Sequence, residues 1–215
     1  MTAVTSGARA RRVTDAPTRM FHWMFALCFS GAYLTSESER FQIIHAGFGY
    51  TIVFLLIFRI FYGWLGPQSV RWASVMTKLK SGWISCNKLH LGSFRRANFK
   101  TLHNFVRVLT TSSLLALSVP LLWSGHVLYV SSSSWFEEVH GFAANTMLLG
   151  VLVHLFLLLG GSVARGTNLA APMLHGKVPG SGPDLVSASR LWLAIALMLT
   201  SCAFGFWAVG GLLGA

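Results

Sequence analysis

The chain has 215 residues, of which 53% are hydrophobic and 11% charged, with a formal net charge of +11. A soluble domain of this length carries about twice that charge fraction, so the composition excludes an ordinary soluble domain and points to a polytopic membrane protein. The basic residues lie between the apolar runs instead of clustering on one soluble face, which argues against a nucleic-acid partner.

Five apolar segments follow in chain order. The first covers about 18–35, "TRMFHWMFALCFSGAYLT"; it follows a basic stretch but lacks a small-x-small cleavage site, and a His-Trp pair interrupts its start, so it reads as a retained helix and not a signal peptide. The second covers about 42–65, "QIIHAGFGYTIVFLLIFRIFYGWL". The third, fourth and fifth cover about 104–130, 137–162 and 189–213. At ~1.5 Å per residue each is long enough to cross roughly 30 Å of hydrocarbon. Between the second and third, "VRWASVMTKLKSGWI" sets Trp72, Val75, Met76, Leu79 and Trp83 near helical spacing. That pattern fits an amphipathic helix on the membrane surface and, equally, an irregular basic loop. Residues 166–188, rich in Gly, Pro and Ser, read as a linker to the fifth segment.

Charge sets the orientation. Arg9, Arg11, Arg12 and Arg19 precede the first helix; Arg71, Lys78, Lys80, Lys88, Arg95, Arg96 and Lys100 fill the 67–101 loop; Arg165, Lys177 and Arg190 lie between the fourth and fifth helices. The other side has Arg40, with Glu37, Glu39, Glu137 and Glu138. The positive-inside rule then predicts a cytoplasmic N-terminus (1–17) and linker, and a C-terminus on the far side, which in a bacterial inner membrane is the periplasm.

Of eight histidines, His90 and His175 fall in loops and His103 at a predicted helix start near water, leaving His22, His45, His126, His140 and His154 in apolar segments. A buried imidazole is costly in lipid without a partner. His140 and His154 are fourteen residues apart, an advance of about 21 Å and nearly four turns, missing by only ~40°. They therefore share one face of the fourth helix at two depths. His22 can meet His154 at the cytoplasmic level and His45 can meet His140 at the periplasmic level. Two cross-helix pairs suit two bis-histidine haems in a bundle core. Zinc or copper would need three or four ligands gathered at one depth, and no acidic residue or nucleophile is expected among the spanning helices, so no catalytic side chain is assigned. Cys28, Cys86 and Cys202 form no Cys-x-x-Cys-His, which excludes covalent haem and implies no structural disulfide. Gly31, Gly47, Gly49, Gly141 and Gly150 could leave room for a porphyrin or serve ordinary helix packing. Arg19, Arg59 and Arg107 are candidate partners for haem propionates; snorkelling to headgroups is the alternative for the last two. His126 could serve proton transfer or a quinone hydrogen bond, or reach interfacial water.

The stretches "RVTDAPTRMFHWMFALCFSGAYLT", "HAGFGYTIVFLLIFRIFYGWLG" and "HGFAANTMLLGVLVHLFLLLGG…APMLHGK" resemble the bacterial cytochrome b561 family, including the b-type cytochromes of nickel–iron hydrogenases, over about residues 12–177. The resemblance implies an all-α integral membrane protein, a four-transmembrane-helix bundle (18–165) binding two non-covalent b haems; the apolar segment 189–213 adds a fifth, peripheral C-terminal transmembrane helix to it. It implies His22, His45, His140 and His154 as axial ligands of the haem iron. It also implies electron transfer between a quinone pool (ubiquinone or menaquinone) and a partner such as a c-type cytochrome or a dehydrogenase. A relative in the family suggests an alternative, a self-contained periplasmic superoxide:quinone oxidoreductase; a transporter or structural membrane protein is the non-redox alternative. The loop around "KLHLGSFRRANFKTLHN", His126 and the fifth helix depart from the family pattern.

Overall fold

The computed structural model describes residues 10–89, 96–131, 133–180 and 182–214. Arg9, His90 and Arg95 lie outside them, and the side chains of Cys86, Lys88, Arg96 and Lys100 are not described either. Strand β1 (Ala10–Arg12) leads into helix α1 (Ala16–Thr35), a 3-10 turn (Glu39–Phe41) and α2 (Gln42–Leu65). Next come α3 (Trp72–Leu89), α4 (Arg96–Ser131), α5 (Ser134–Arg165), the single turn α6 (Ala171–Leu174), strand β2 (Lys177–Pro179) and α7 (Leu191–Leu213). Helices dominate because long apolar segments in lipid must satisfy every backbone group internally.

Local signals fix the helix ends. Asp15 caps α1: its side chain accepts from the Thr18 N–H, and Pro17 occupies the first turn, where its missing N–H costs nothing. α5 stops at Gly166, whose left-handed φ of 61° turns its N–H back onto the Ser162 and Val163 carbonyls. α4 runs through Pro120, which deprives the Ala116 carbonyl of its helical N–H.

Among the described residues four helices are long and apolar enough to cross a membrane: the Glu39–Leu65, Thr101–Ser131, Ser134–Arg165 and Leu191–Leu212 segments. α1, expected as a fifth, does not meet that composition because Arg19 and His22 sit in its first turns; it packs along α2 and α7 all the same.

The helices form two layers. α1, α2 and α7 pack together as one; α4 and α5 pair as the other, with α3 laid against α4. Close backbone approaches between the layers are few, and side chains fill the seam. Phe21, Cys28 and Phe29 of α1, Ile52 and Leu55 of α2, Leu121 of α4, Ala143 and Met147 of α5 and Leu197 of α7 form its buried core. Leu55 (0% exposed) and Met147 (1%) are the most enclosed of these. Leu197 in that core corrects the expectation that the fifth helix is merely peripheral: Val209 lies where a Cβ on Gly47 would clash, and the Phe204 and Phe54 rings stack at 5.2 Å.

Residues 166–188, expected as a linker, fold back on the start of the chain. β2 pairs antiparallel with β1, with Arg11 opposite Val178. The Arg12 N–H donates to Asp184 at 2.7 Å, and the Trp23 indole donates to the Met173 carbonyl at 3.0 Å. The amphipathic stretch is a helix, but its apolar residues divide between two faces. Trp72, Val75 and Leu79 are half-buried, and Gly82 is buried against Phe105 of α4; Met76 and Trp83 are exposed.

Candidate functional site

Four of the five histidines of the apolar segments, His22, His45, His140 and His154, occupy two ends of the seam, with Met147 seven residues from each of the two on α5. Each pair joins the layers, one member from α1 or α2 and one from α5.

At the first end, the rings of His45 and His140 lie 6.0 Å apart between centroids, with planes at 80°. Nδ1 of His45 is 2.8 Å from the Ala32 carbonyl; Nδ1 of His140 is 3.0 Å from the Leu121 carbonyl and 3.3 Å from the Ser124 hydroxyl. A carbonyl only accepts, so each Nδ1 carries its proton and donates, which leaves Nε2 of both rings as the basic nitrogen. Two imidazoles ligating one iron from opposite sides, with bonds of about 2 Å and each nitrogen about 1.1 Å from its ring centre, put their centroids roughly 6 Å apart. A separation of this size is the one at which two imidazoles would hold a single iron, and Nδ1 contacts of this kind would orient both rings for it. Gly125 backs the pair: a Cβ there would lie 2.7 Å from Cε1 of His140.

At the other end, His22 and His154 are close enough for their charges to interact. Each buries Nδ1 with no hydrogen-bond partner among the described residues. Three arginines gather here. The Arg19 Nη1 donates to the Leu174 carbonyl at 3.0 Å, and the Arg59 Nη2 donates to the Val70 carbonyl at 3.2 Å while its guanidinium lies 4.5 Å over the Trp72 ring. Nε of Arg19 and Nη1 of Arg59 are buried donors without a partner among the described residues. Arg107 lies within electrostatic reach of His154 and of Arg165. Buried N–H groups of cationic side chains suit an anionic group such as a propionate.

Among the described residues no three or more His, Cys, Asp or Glu side chains converge as a metal site; the histidines come in twos. The glycines divide. Gly31 backs onto Phe48, Gly47 onto Val209 and Gly150 onto Leu114, which is helix packing, whereas Gly49 and Gly141 face open space. Gly49 lies one turn beyond His45, on nearly the same face of α2.

A model of the prokaryotic cytochrome b561 family matches residues 13–176, a span that includes all four histidines. The chain belongs to that family. Comparison with curated proteins and with solved structures gives no match. As a member of the family it is a multi-pass membrane cytochrome that binds b-type haem and transfers electrons. Its helix α7 lies beyond the matched residues.

One histidine of this cytochrome departs from its expected place. His103 is not near water: α4 begins seven residues earlier, and the ring is 7% exposed. Its Nε2 meets the Leu157 carbonyl at 2.8 Å, and its Nδ1 accepts from Arg165 at 2.9 Å. A buried acid also lies at this end, capping α1 outside the four spanning segments. Asp15, 1% exposed, accepts the Tyr62 hydroxyl proton, and Arg190 donates to that hydroxyl oxygen at 3.3 Å. The one signal for it in sequence was an Asp-x-Pro helix start.

Proposed function

We propose that the chain is a di-haem b-type cytochrome that carries electrons across the membrane between the quinone pool and a partner redox protein, such as a c-type cytochrome or a dehydrogenase. The observation that carries this reading is the His45–His140 pair, with both Nδ1 protons given to carbonyls and the ring centres at iron-bridging distance. His22 and His154 are the proposed ligands of the second haem. Arg19, Arg59 and Arg107 are proposed to neutralise propionates at that end, since two of them hold buried donors without partners. Haem supplies reversible one-electron exchange at iron. The protein's part is to hold the ligands, orient the imidazoles and keep water from the seam with Leu55 and Met147. We also propose that the end bearing β1 and β2 faces the cytoplasm and the C-terminus the periplasm, on the asymmetry of lysine and arginine.

Pyridine haemochrome analysis of the purified protein tests the di-haem reading. The expected result is two non-covalent b haems per chain; a ratio of one would mean that one histidine pair is not a ligand pair.

A further inference from the structure

A second polar pair joins the layers beside the His45–His140 site. The Tyr50 hydroxyl of α2 lies 3.0 Å from Nδ1 of His126 on α4, with the rings edge to face at 6.0 Å. Both residues lie inside segments apolar enough to span the membrane. Tyr50 is five residues beyond His45. His126 follows Gly125, against which His140 rests, and lies two residues beyond Ser124, which touches Nδ1 of His140. His126 is exposed at the bundle surface, where lipid would meet it, and its Nε2 has no partner among the described residues. Tyr129, one turn on and also exposed, is within electrostatic reach of Tyr50. An ionisable side chain within a membrane span is costly, commonly pairs with another polar group, and commonly marks a functional site.

The pair has a property that one hydroxyl or one carbonyl lacks. When Tyr50 donates to Nδ1, His126 carries its proton on Nε2 and presents a donor outward. When His126 protonates Nδ1 and donates to the tyrosine oxygen, Nε2 becomes an acceptor and the Tyr50 O–H turns outward as a donor. A single tautomer exchange therefore switches the outward nitrogen between donor and acceptor. That suits a lipid-soluble ligand whose own group alternates between carbonyl, which accepts, and hydroxyl, which donates.

We propose that Tyr50 and His126 form the headgroup-docking site for a membrane quinone, which they hold in its oxidised form through a donor and in its reduced form through the acceptor nitrogen. The inference rests on the quinone link proposed above and adds to it a place, the exposed Tyr50–His126 contact between α2 and α4 near the His45–His140 pair.

The test uses the full-length, haem-loaded protein in lipid nanodiscs, photolabelled with an azido-ubiquinone, with decylubiquinone as competitor and mass spectrometry to map the label. Wild type is expected to carry competable label on peptides spanning residues 45–55 and 121–131. In Tyr50→Phe and in His126→Leu, with both haem spectra retained, that label should fall about tenfold, the loss expected for one hydrogen bond. Label undiminished in either haem-loaded variant, or mapped to the His22–His154 end, would overturn the docking site and leave the quinone link standing. Absence of any competable label on wild type would overturn both. Tyr50→Phe removes a single oxygen and keeps the ring, so it decides alone if His126→Leu does not retain its haems.

Discussion

A histidine that binds a metal through one nitrogen has to place the proton on its other nitrogen, and here the two pairs differ. His45 and His140 give theirs to the Ala32 and Leu121 carbonyls, whereas Nδ1 of His22 and of His154 is buried without an acceptor among the described residues. A hydrogen-bonded imidazole is the more basic ligand and favours ferric iron; nearby cations favour the ferrous state. Both effects point one way, since Arg19, Arg59 and Arg107 lie at the His22–His154 end. The two proposed haems should therefore titrate at separate potentials, the lower belonging to the His45–His140 pair. His45→Ala and His140→Ala should each remove the low-potential component, and His22→Ala and His154→Ala the other. Loss of the same component from His22→Ala and His140→Ala would sink the pairing. Gly125→Ala tests the backing of one ligand. Its Cβ would lie 2.7 Å from Cε1 and 3.0 Å from Nδ1 of His140, closer than van der Waals contact, so the ring must shift. Electron paramagnetic resonance should then show a changed low-potential haem and an unchanged partner; an unaltered spectrum would mean that the ring is held elsewhere. The fourteen-residue interval was legible in the sequence because helical period and rise turn it into a depth and a face. The backing carbonyls were not, because every residue carries one and only the folded seam selects Ala32 and Leu121.

At the level of elements, the starts of α1 and α7 and the end of α2 are tied through one buried carboxylate. Asp15 caps α1 through the Thr18 N–H and accepts from Tyr62 of α2, whose oxygen in turn accepts from Arg190 at the start of α7. Arg190 has a φ of 50°, the one positive value at a non-glycine among the described residues. A left-handed conformation costs a residue with a Cβ about 1 kcal/mol or more, and here it accompanies a guanidinium bonded to Tyr62. Asp15→Ala removes the cap and strands the Tyr62 hydroxyl, for a combined loss of about 2–3 kcal/mol. A lower thermal midpoint in detergent should register it, and Tyr62→Phe should cost less because the cap survives. Equal losses would show that the cap contributes little. Apolar run length pointed to helices at α2, α5 and α7, because about twenty apolar residues in lipid have little choice but a helix, whereas α4 begins eight residues before the apolar run that marked it. It was silent on β1 and β2. Three-residue strands have no readable period, and their pairing joins Arg11 to Val178 across nearly the whole chain.

At the scale of the whole molecule, contacts and charge agree on two unlike ends. Asp15 meets Tyr62, Trp72 lies over Arg59, His103 meets Arg165, and β1 pairs with β2, so the start of α1, the end of α2, α3, the start of α4, the end of α5 and residues 166–190 all share one end. That end holds Arg11, Arg12, Arg71, Lys78, Lys80, Arg165, Lys177 and Arg190. The opposite end, reached by the 36–41 turn and the start of α5, holds Arg40 with Glu37, Glu39, Glu137 and Glu138. Lysine and arginine near short loops resist translocation, so the basic end should face the cytoplasm. α7 leaves the basic end and runs 23 residues, roughly 34 Å at helical rise, long enough to cross the hydrocarbon. A reporter fused after residue 85 should therefore read cytoplasmic, and one fused at the C-terminus periplasmic. Cytoplasmic signal from both would mean that α7 does not span despite its length. The reverse pattern would put the His45–His140 pair at the cytoplasmic face, and with it the proposed quinone site at Tyr50 and His126.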